Sequence, residues 1–384
     1  MTLTAPEAAA PSAAPAAGQQ RFADPLQMTA IELADSLWEI VPKTLPIRWD
    51  DQPIRSLSAS SINTFALCPE AYRRRYVLGQ KHPITAKILI GRVVDETMNT
   101  YLRAWMAGTQ LDAGQLREAT RDQFAAELAE AVERDGVRWE DNQPDQQQSQ
   151  DICCELVELA RTRIVPCIER PISVQRTVSF KLAKHLDWEV VGTLDLECEY
   201  SLYTALDEQG EVIATWGDEP EPTVEREALG PLPSARHRKR PIADVPIHHV
   251  AADVIERTIV GIDDFKAKDS PIDTNRARGD VQASIYLANA WLLGERRERF
   301  RWLQMLKPGD KRQKASVKVT ATQRTDAEHR ATLVRLANIA AQIDELYRSR
   351  GPERMWPMAP AGSWKCSERY CDHFRERTCP MAGI

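Results

Sequence analysis

Asp264 and Lys266 stand two residues apart in "TIVGIDDFKAKD", where an apolar run ends. On a strand, residues two apart share a face and direct neighbours point to opposite faces. Asp264 and Lys266 are therefore expected side by side, with Asp263 and Phe265 turned the other way. A carboxylate can hold a hard divalent cation, and an adjacent ammonium can meet a phosphate oxygen or a nucleophilic water. One carboxylate is a poor ligand set on its own. A second candidate lies in "VVGTLDLE", where Asp195 interrupts an apolar alternation between Leu194 and Leu196. Two acidic residues from neighbouring strands could share one metal. A surface ion pair is the plainer account of an Asp-x-Lys triplet.

The cysteines offer a second kind of chemistry. Cys366, Cys371 and Cys379 have four and seven residues between them, close enough to wrap one metal centre but one thiolate short. Cys68, in "ALCPEAY", is the natural fourth, and would tie the N-terminal helix to the C-terminal loop as a clasp. Four thiolates hold either Zn²⁺ or an iron–sulfur cluster, and the spacing leaves both open. His82 and His373 are rival ligands, read here as solvated. Cys153, Cys154, Cys167 and Cys198 fall in apolar segments and read as small core residues.

The elements that must position these groups follow from periodicity and punctuation. The Ala/Pro-rich start reads as a disordered tail, with a short amphipathic helix in "MTAIELADSLWEI", over residues 1–50. A helical part is expected over 56–168. It opens with the serines of "SLSASSINTF" as caps, includes a stripe of Val94, Met98, Leu102 and Trp105, and is broken by a polar linker over 135–150. The β-branched runs "SVQRTVSF" and "WEVVGTLDLECEY" begin an α/β core over 172–306. Residues 205–244, acidic and then basic with several prolines, read as a mobile insertion in it. "DVQASIYLANAWLL" predicts an amphipathic helix and "RFRWLQMLK" a strand, and a long helix and a cysteine loop close the chain over 323–381.

Composition bounds the partners. The chain has 384 residues and a net charge of −6, which gives no overall pull toward nucleic acid. No run approaches the ~18 apolar residues of a membrane span, and the N-terminus lacks a signal-peptide pattern. The expected location is the cytoplasm, where eight cysteines stay reduced. Local basic paths remain. Arg73, Arg74 and Arg75 lie between two tyrosines, a pattern suited to single strands. Lys307, Lys311, Arg312, Lys314 and Lys318 form a second path, and "RHRKR" a third. No G-x-x-x-x-G-K-[ST] stretch marks a motor.

"GTLDLE", "IDDFKAKD" and "DVQASIYLANAW", in that order, resemble the G-x-x-D, D-x-K and Q-x-x-x-Y motifs of the PD-(D/E)XK nuclease superfamily. With "SLSASSINTFALCPEAYRRRYVLG" and the C-terminal cysteines, the sequence is similar to the RecB-like iron–sulfur branch. That branch includes AddB-type nuclease domains and CRISPR-associated iron–sulfur exonucleases. The resemblance covers roughly residues 56–381 outside the insertion.

It implies a restriction-endonuclease-like mixed sheet core flanked by helices, with a helical N-terminal region and a C-terminal cysteine-cluster loop. It implies a nuclease dependent on Mg²⁺ or Mn²⁺, an exonuclease on single-stranded DNA or DNA ends, in recombination, repair or phage-related DNA processing. A catalytically silent DNA-end binding subunit is the alternative. Asp195 would be a metal ligand, Asp264 the motif acid and second ligand, Lys266 the catalytic lysine, and the Phe265 carbonyl a further ligand. Gln282 and Tyr286 would sit one turn apart on the following helix, against the site or the DNA. Asp95, in "GRVVD", stands where the family has histidine, and could still bind a hard metal. Cys68, Cys366, Cys371 and Cys379 would hold a [4Fe–4S] cluster rather than Zn²⁺. A separate helicase or recombination partner would feed DNA.

Overall fold

A two-residue strand, β1 (Ser56–Leu57), leads into helix α1 (Ala59–Leu67). Ser58 caps it: its hydroxyl accepts the Ser61 N–H, and the Ser61 hydroxyl accepts the Ser58 N–H. Cys68 closes α1 and precedes α2 (Pro69–Tyr72), and Arg73–Val77 continue as a π-helical turn. β2 (Ile84–Thr85) precedes α3 (Ala86–Met106), which runs unbroken through Gly91, and then α4 (Ala113–Arg134). After β3 (Val137–Arg138), α5 (Gln146–Arg163) starts at Gln146 rather than near 151. Asp145 and Gln148 form a capping box there, which converts the end of the polar linker into a first helical turn. The computed structural model describes residues 56–140, 143–183, 186–217, 223–227, 242–295, 297–308 and 314–383. The N-terminal tail and its amphipathic helix, "RHRKR", Lys311 and Arg312 lie outside the described residues.

The sheet begins with β4 (Arg170–Ala183) and β5 (Leu186–Leu206). The segment expected as a mobile insertion is structured where it is described. β6 (Val212–Trp216) pairs antiparallel with the end of β5, and β7 (Thr223–Glu227) pairs with β8 (Ile242–Pro246) in a separate two-stranded sheet. β9 (Asp253–Lys268) is followed by α6 (Thr274–Arg278), α7 (Val281–Leu292), β10 (Phe300–Leu306), β11 (Ser316–Thr322), α8 (Asp326–Arg350) and α9 (Asp372–Arg375). The main sheet runs β1-β5-β9-β10-β11, with β4 along the first part of β5. β1 lies parallel to β5 and β9 parallel to β10, while the other pairs are antiparallel.

Helices cover both faces. On one, α3, α4 and α5 pack on Leu196, Cys198, Tyr200, Phe265, Leu303 and Met305. On the other, α1, α7 and α8 pack on Leu194, Ile262, Phe300 and Trp302. This is a mixed α/β architecture with a central mixed sheet between helices, consistent with a restriction-endonuclease-like fold. Among the described residues no helix is long and apolar enough to cross a membrane.

Two details decide which residues reach the functional face. Simple alternation would set Leu194 and Leu196 on the same side, yet they join opposite clusters. The strand changes face across Asp195, and on β4, between the partners of Leu194 and Leu196, Gln175 has a left-handed φ of 55°. The second detail is Asp263. Its carboxylate accepts from Arg301 at 2.8 and 2.6 Å, both side chains are fully buried, and the guanidinium lies 3.5 Å from the Tyr200 ring centroid. Asp263 is thus a structural charge, facing away from Asp264.

Candidate active site

β9 delivers Asp264 and Lys266 to one face, as the two-residue spacing requires. Asp264 is buried, and its Oδ1 accepts from Lys266 Nζ at 2.6 Å and from Gln282 Nε2 at 2.8 Å. Asp195, from the neighbouring β5, lies with its Oδ2 4.0 Å from the same ammonium and accepts the Phe265 backbone N–H at 3.3 Å. The Phe265 ring goes to the other face of the sheet, into the core beneath α3–α5. Gln175 Nε2 approaches Asp195 Oδ1 at 3.5 Å. Asp95 enters from α3, and Ser58 and Ser60 from the start of α1. Asp95, Asp195, Asp264, Lys266, Gln282, Ser58 and Ser60 line an open cleft of about 570 Å³ with Thr177, Gly192, Thr193 and Tyr286.

α7 forms one wall. Asp280 caps it, and Gln282 and Tyr286 lie one turn apart on its cleft side. The Tyr286 hydroxyl donates to the Thr193 carbonyl at 2.8 Å. Its ring fits against β5 because residue 192 is glycine: a Cβ there would meet Tyr286 Cε1 at 2.5 Å. Glu96, one residue after Asp95, turns away to Asn99 and Arg103.

The electrostatics are those of crowded carboxylates around one cation. Burial, and then the charges of Asp264 and Asp95, push Asp195 well above the usual carboxylate range. Burial also pushes Asp95 up to about 6, with Lys266 pulling the other way. For Lys266, burial disfavours the charge, but Asp264 and Asp195 outweigh it and hold the ammonium protonated. The Tyr286 phenol is raised to about 12 by burial and the same two carboxylates. Lys266 alone does not satisfy this set. Asp264 Oδ2 and Asp95 Oδ1 are buried without a hydrogen-bond partner. Orphaned carboxylate oxygens are costly unless something positive meets them. A hard divalent cation fits that donor set.

The four cysteines of the expected clasp also converge. Burial raises the Cys366 thiol, and Cys68, Cys379 and Cys371 raise it further. Cys371 is raised by burial and then feels Cys379 and Cys68. All four are free thiols. His373 is buried rather than solvated and packs edge-on to His82, with ring centroids 4.6 Å apart. His82 Nδ1 lies 2.9 Å from Glu376. Among the described residues no group of three or more His, Cys, Asp or Glu side chains is arranged to hold a metal ion.

Other expected residues are placed differently. Arg73 is buried: it donates to both oxygens of Glu70 and to the Pro352 carbonyl. Arg74 binds Glu70 and Thr378. Both are ties between α2 and the C-terminal loop, since Glu70 also accepts the Trp356 N–H, and neither is presented as a DNA path. Arg75 is exposed over the Tyr76 ring. Lys307 is buried, 3.7 Å from Asp269, while Lys314 and Lys318 are exposed. Cys153 and Cys198 are core residues, but Cys154 and Cys167 are only half-buried. The sequence reading missed Ser58 and Ser60 as cleft residues and Gln175 as a neighbour of Asp195. A left-handed residue inside a strand leaves no compositional mark, and the serines read equally as a helix cap.

Two comparisons with known proteins bear on this geometry. Residues 56–199 match the family model described as the PD-(D/E)XK nuclease superfamily, which contributes Asp95 and Asp195 but ends before Asp264. No curated protein matches the sequence.

Proposed function

Taking as premise that residues 56–199 form a PD-(D/E)XK nuclease superfamily domain, whose members are mostly metal-dependent nucleases, we propose that this chain hydrolyses phosphodiester bonds in DNA. The observation that carries the reading is the meeting of Asp195, Asp264 and Lys266 in one cleft, with buried carboxylate oxygens left without partners. Asp195 and Asp264, with Asp95 and the Phe265 carbonyl, would hold Mg²⁺ or Mn²⁺. Such an ion supplies a more acidic water and charge stabilisation at the phosphate. Lys266, with a side chain 31% exposed, offers its ammonium to the phosphate oxygens and steadies the attacking water. Gln282 fixes the Asp264 carboxylate, and Tyr286 braces α7 against β5. The open cleft suits a DNA end or a single strand, with exposed Arg75, Lys314 and Lys318 as outlying cations. We therefore read the activity as an exonuclease.

Four converging thiols support a [4Fe–4S] cluster at Cys68, Cys366, Cys371 and Cys379, which would be visible as brown protein with iron and sulfide rather than zinc. The test of the enzyme is cleavage of end-labelled single-stranded and duplex DNA with Mg²⁺, Mn²⁺ or EDTA. Lys266→Ala should lower the rate by roughly 10²-fold or more while the melting temperature persists. Unchanged cleavage in that variant would overturn the mechanism. DNA binding without cutting under any metal would favour a silent end-binding subunit.

A further inference from the structure

Trp364 and Tyr370 stand on either side of Cys366 in the cysteine loop, and both are exposed, to 60% and 45%. They are six residues apart, and successive tight turns bring them together. The Cys366 N–H donates to the Ser363 carbonyl at 2.9 Å, the Tyr370 N–H to the Ser367 carbonyl at 3.1 Å, and the Ser367 hydroxyl to the Trp364 carbonyl at 3.2 Å. The two rings meet at 86° with centroids 5.0 Å apart. An edge-on pair leaves ring faces open that a parallel stack would hide. Lys365 Nζ lies 5.8 Å from the Trp364 ring centroid, and Arg369 Cζ lies 5.2 Å from that of Tyr370. Both are within reach of a cation–π attraction.

A single exposed apolar side chain is ordinary. Two touching aromatics, each with its own cation, make a surface that is apolar and positive at once. The charge is not spent inside the protein. Among the described residues no ion pair engages Lys365 or Arg369. The carboxylates that follow in the chain are committed elsewhere, Asp372 to Arg138 and Arg375 and Glu376 to His82. Glu368 is the one acidic residue within 364–370. The patch also stands against the overall net charge of −6. A purely apolar partner would have no use for the cations. A single nucleic-acid strand uses both, since its bases stack on aromatic rings and its phosphates meet Lys and Arg. A duplex keeps its bases stacked on one another and offers the rings nothing.

We propose that Trp364 and Tyr370, with Lys365 and Arg369, form a stacking platform for unpaired bases of single-stranded DNA, separate from the catalytic cleft, whose lining includes none of the four. DNA as the occupant rests on the nuclease reading above, whereas the open rings and free cations do not depend on it. Arg74 donates to the Thr378 hydroxyl and carbonyl, which joins the cysteine loop to the α1–α2 segment whose first residues line the cleft.

The experiment measures binding by the full chain without added divalent metal, so that it is read apart from cutting. The probes are fluorescein-labelled oligo-dT, an abasic strand of equal length and a duplex. The unaltered protein should bind oligo-dT more tightly than the abasic strand. Trp364→Ala should weaken oligo-dT binding by roughly 5- to 100-fold, the worth of one stacked base, abolish the preference over the abasic strand and leave duplex binding unchanged. Trp364→Phe should keep most of the affinity and Trp364→Leu should not, a split that plain apolar contact would not produce. Lys365→Ala and Arg369→Ala should each flatten the slope of log K against log salt by about 0.7. Because Trp364 is exposed, its variants should melt with the unaltered protein. Equal affinity of the unaltered protein for oligo-dT and the abasic strand, or equal loss in the Phe and Leu variants, would overturn the platform. The expected binding pattern in a chain that cuts under no metal would overturn the nuclease reading and leave the platform standing.

Discussion

Gly192→Ala is expected to damage the site without altering any charge. Gly192 has an ordinary backbone conformation, so alanine itself fits the strand. The difficulty is Tyr286, whose Cε1 would lie 2.5 Å and hydroxyl 3.1 Å from the new Cβ. Carbon atoms in contact prefer ~3.5–4.0 Å, so the ring must retreat by roughly 1 Å. It is poorly placed to do so. Its hydroxyl is bonded to the Thr193 carbonyl, and its helix is anchored by buried Ile285, Leu287 and Ala288. Overpacking of this kind costs ~1–3 kcal/mol, and losing the hydrogen bond adds about 1 kcal/mol. The expected penalty is therefore about 2–4 kcal/mol by urea unfolding, with an unchanged m-value. Cleavage should fall with it, because Gln282 holds Asp264 from the preceding turn of the same helix. Tyr286→Leu removes the obstacle. In the double variant the alanine should cost little, giving a coupling of at least ~1 kcal/mol. A Gly192→Ala protein within ~0.5 kcal/mol of the unaltered chain, or strictly additive penalties, would refute this reasoning.

Three further outcomes follow from the packing. Arg301→Leu strands the Asp263 carboxylate at full burial and should cost ~3–5 kcal/mol in urea, whereas Asp263→Leu/Arg301→Leu should recover most of it; a double variant no more stable than the single would contradict this. His329, buried against Trp291, is depressed to about 4 by burial. The unfolded chain therefore binds more protons between pH 6.5 and 4, and stability should drop by roughly 2–3 kcal/mol as pH falls through that window. His329→Gln should flatten this limb, and an unaltered pH profile would show that another group dominates it. Cys371→Ser should lower the melting temperature and release bound metal, because a structural metal centre contributes its binding energy to folding; a variant with an unchanged melting temperature would remove the clasp.

Much of the site was legible because strand periodicity is strict. Asp264 and Lys266 share a face while Asp263 and Phe265 do not, and that follows from counting. The placement of Gln282 and Tyr286 one turn apart follows from the helical period in the same way. Counting failed where the chain departs from its period. Leu194 and Leu196 look equivalent in the sequence, but the face change across Asp195 sends them to opposite cores. Arg73, Arg74 and Arg75 look equivalent too, and only the position of Glu70 and the returning C-terminal loop turns the first two into internal ties. A charge run states what a segment carries, and the tertiary partner decides whether the charge is spent inside the protein or offered outside. Charge and proline in the insertion carry no mark of strand pairing, and its described part β6 gains order by continuing the edge of β5.

Two neighbouring strands supply one candidate ligand set, Asp195 from β5 and Asp264 from β9. Glu197 and Leu196 follow Asp195 in the regular ladder with β9, where Leu196 lies opposite Asp263 on the structural face. The Glu197 carboxylate is taken by Arg176 and Arg297. Asp195 makes a different set of contacts, its Oδ2 accepting the Phe265 N–H and lying 4.0 Å from the Lys266 ammonium. The cleft wall opposite is set by α1, a helix of nine residues, ~13.5 Å long, between its cap Ser58 at the cleft and Cys68 at the expected clasp. A rigid rod of that length transmits position. A metal centre at these cysteines, though remote from Asp264, would therefore fix one side of the opening through which DNA would enter.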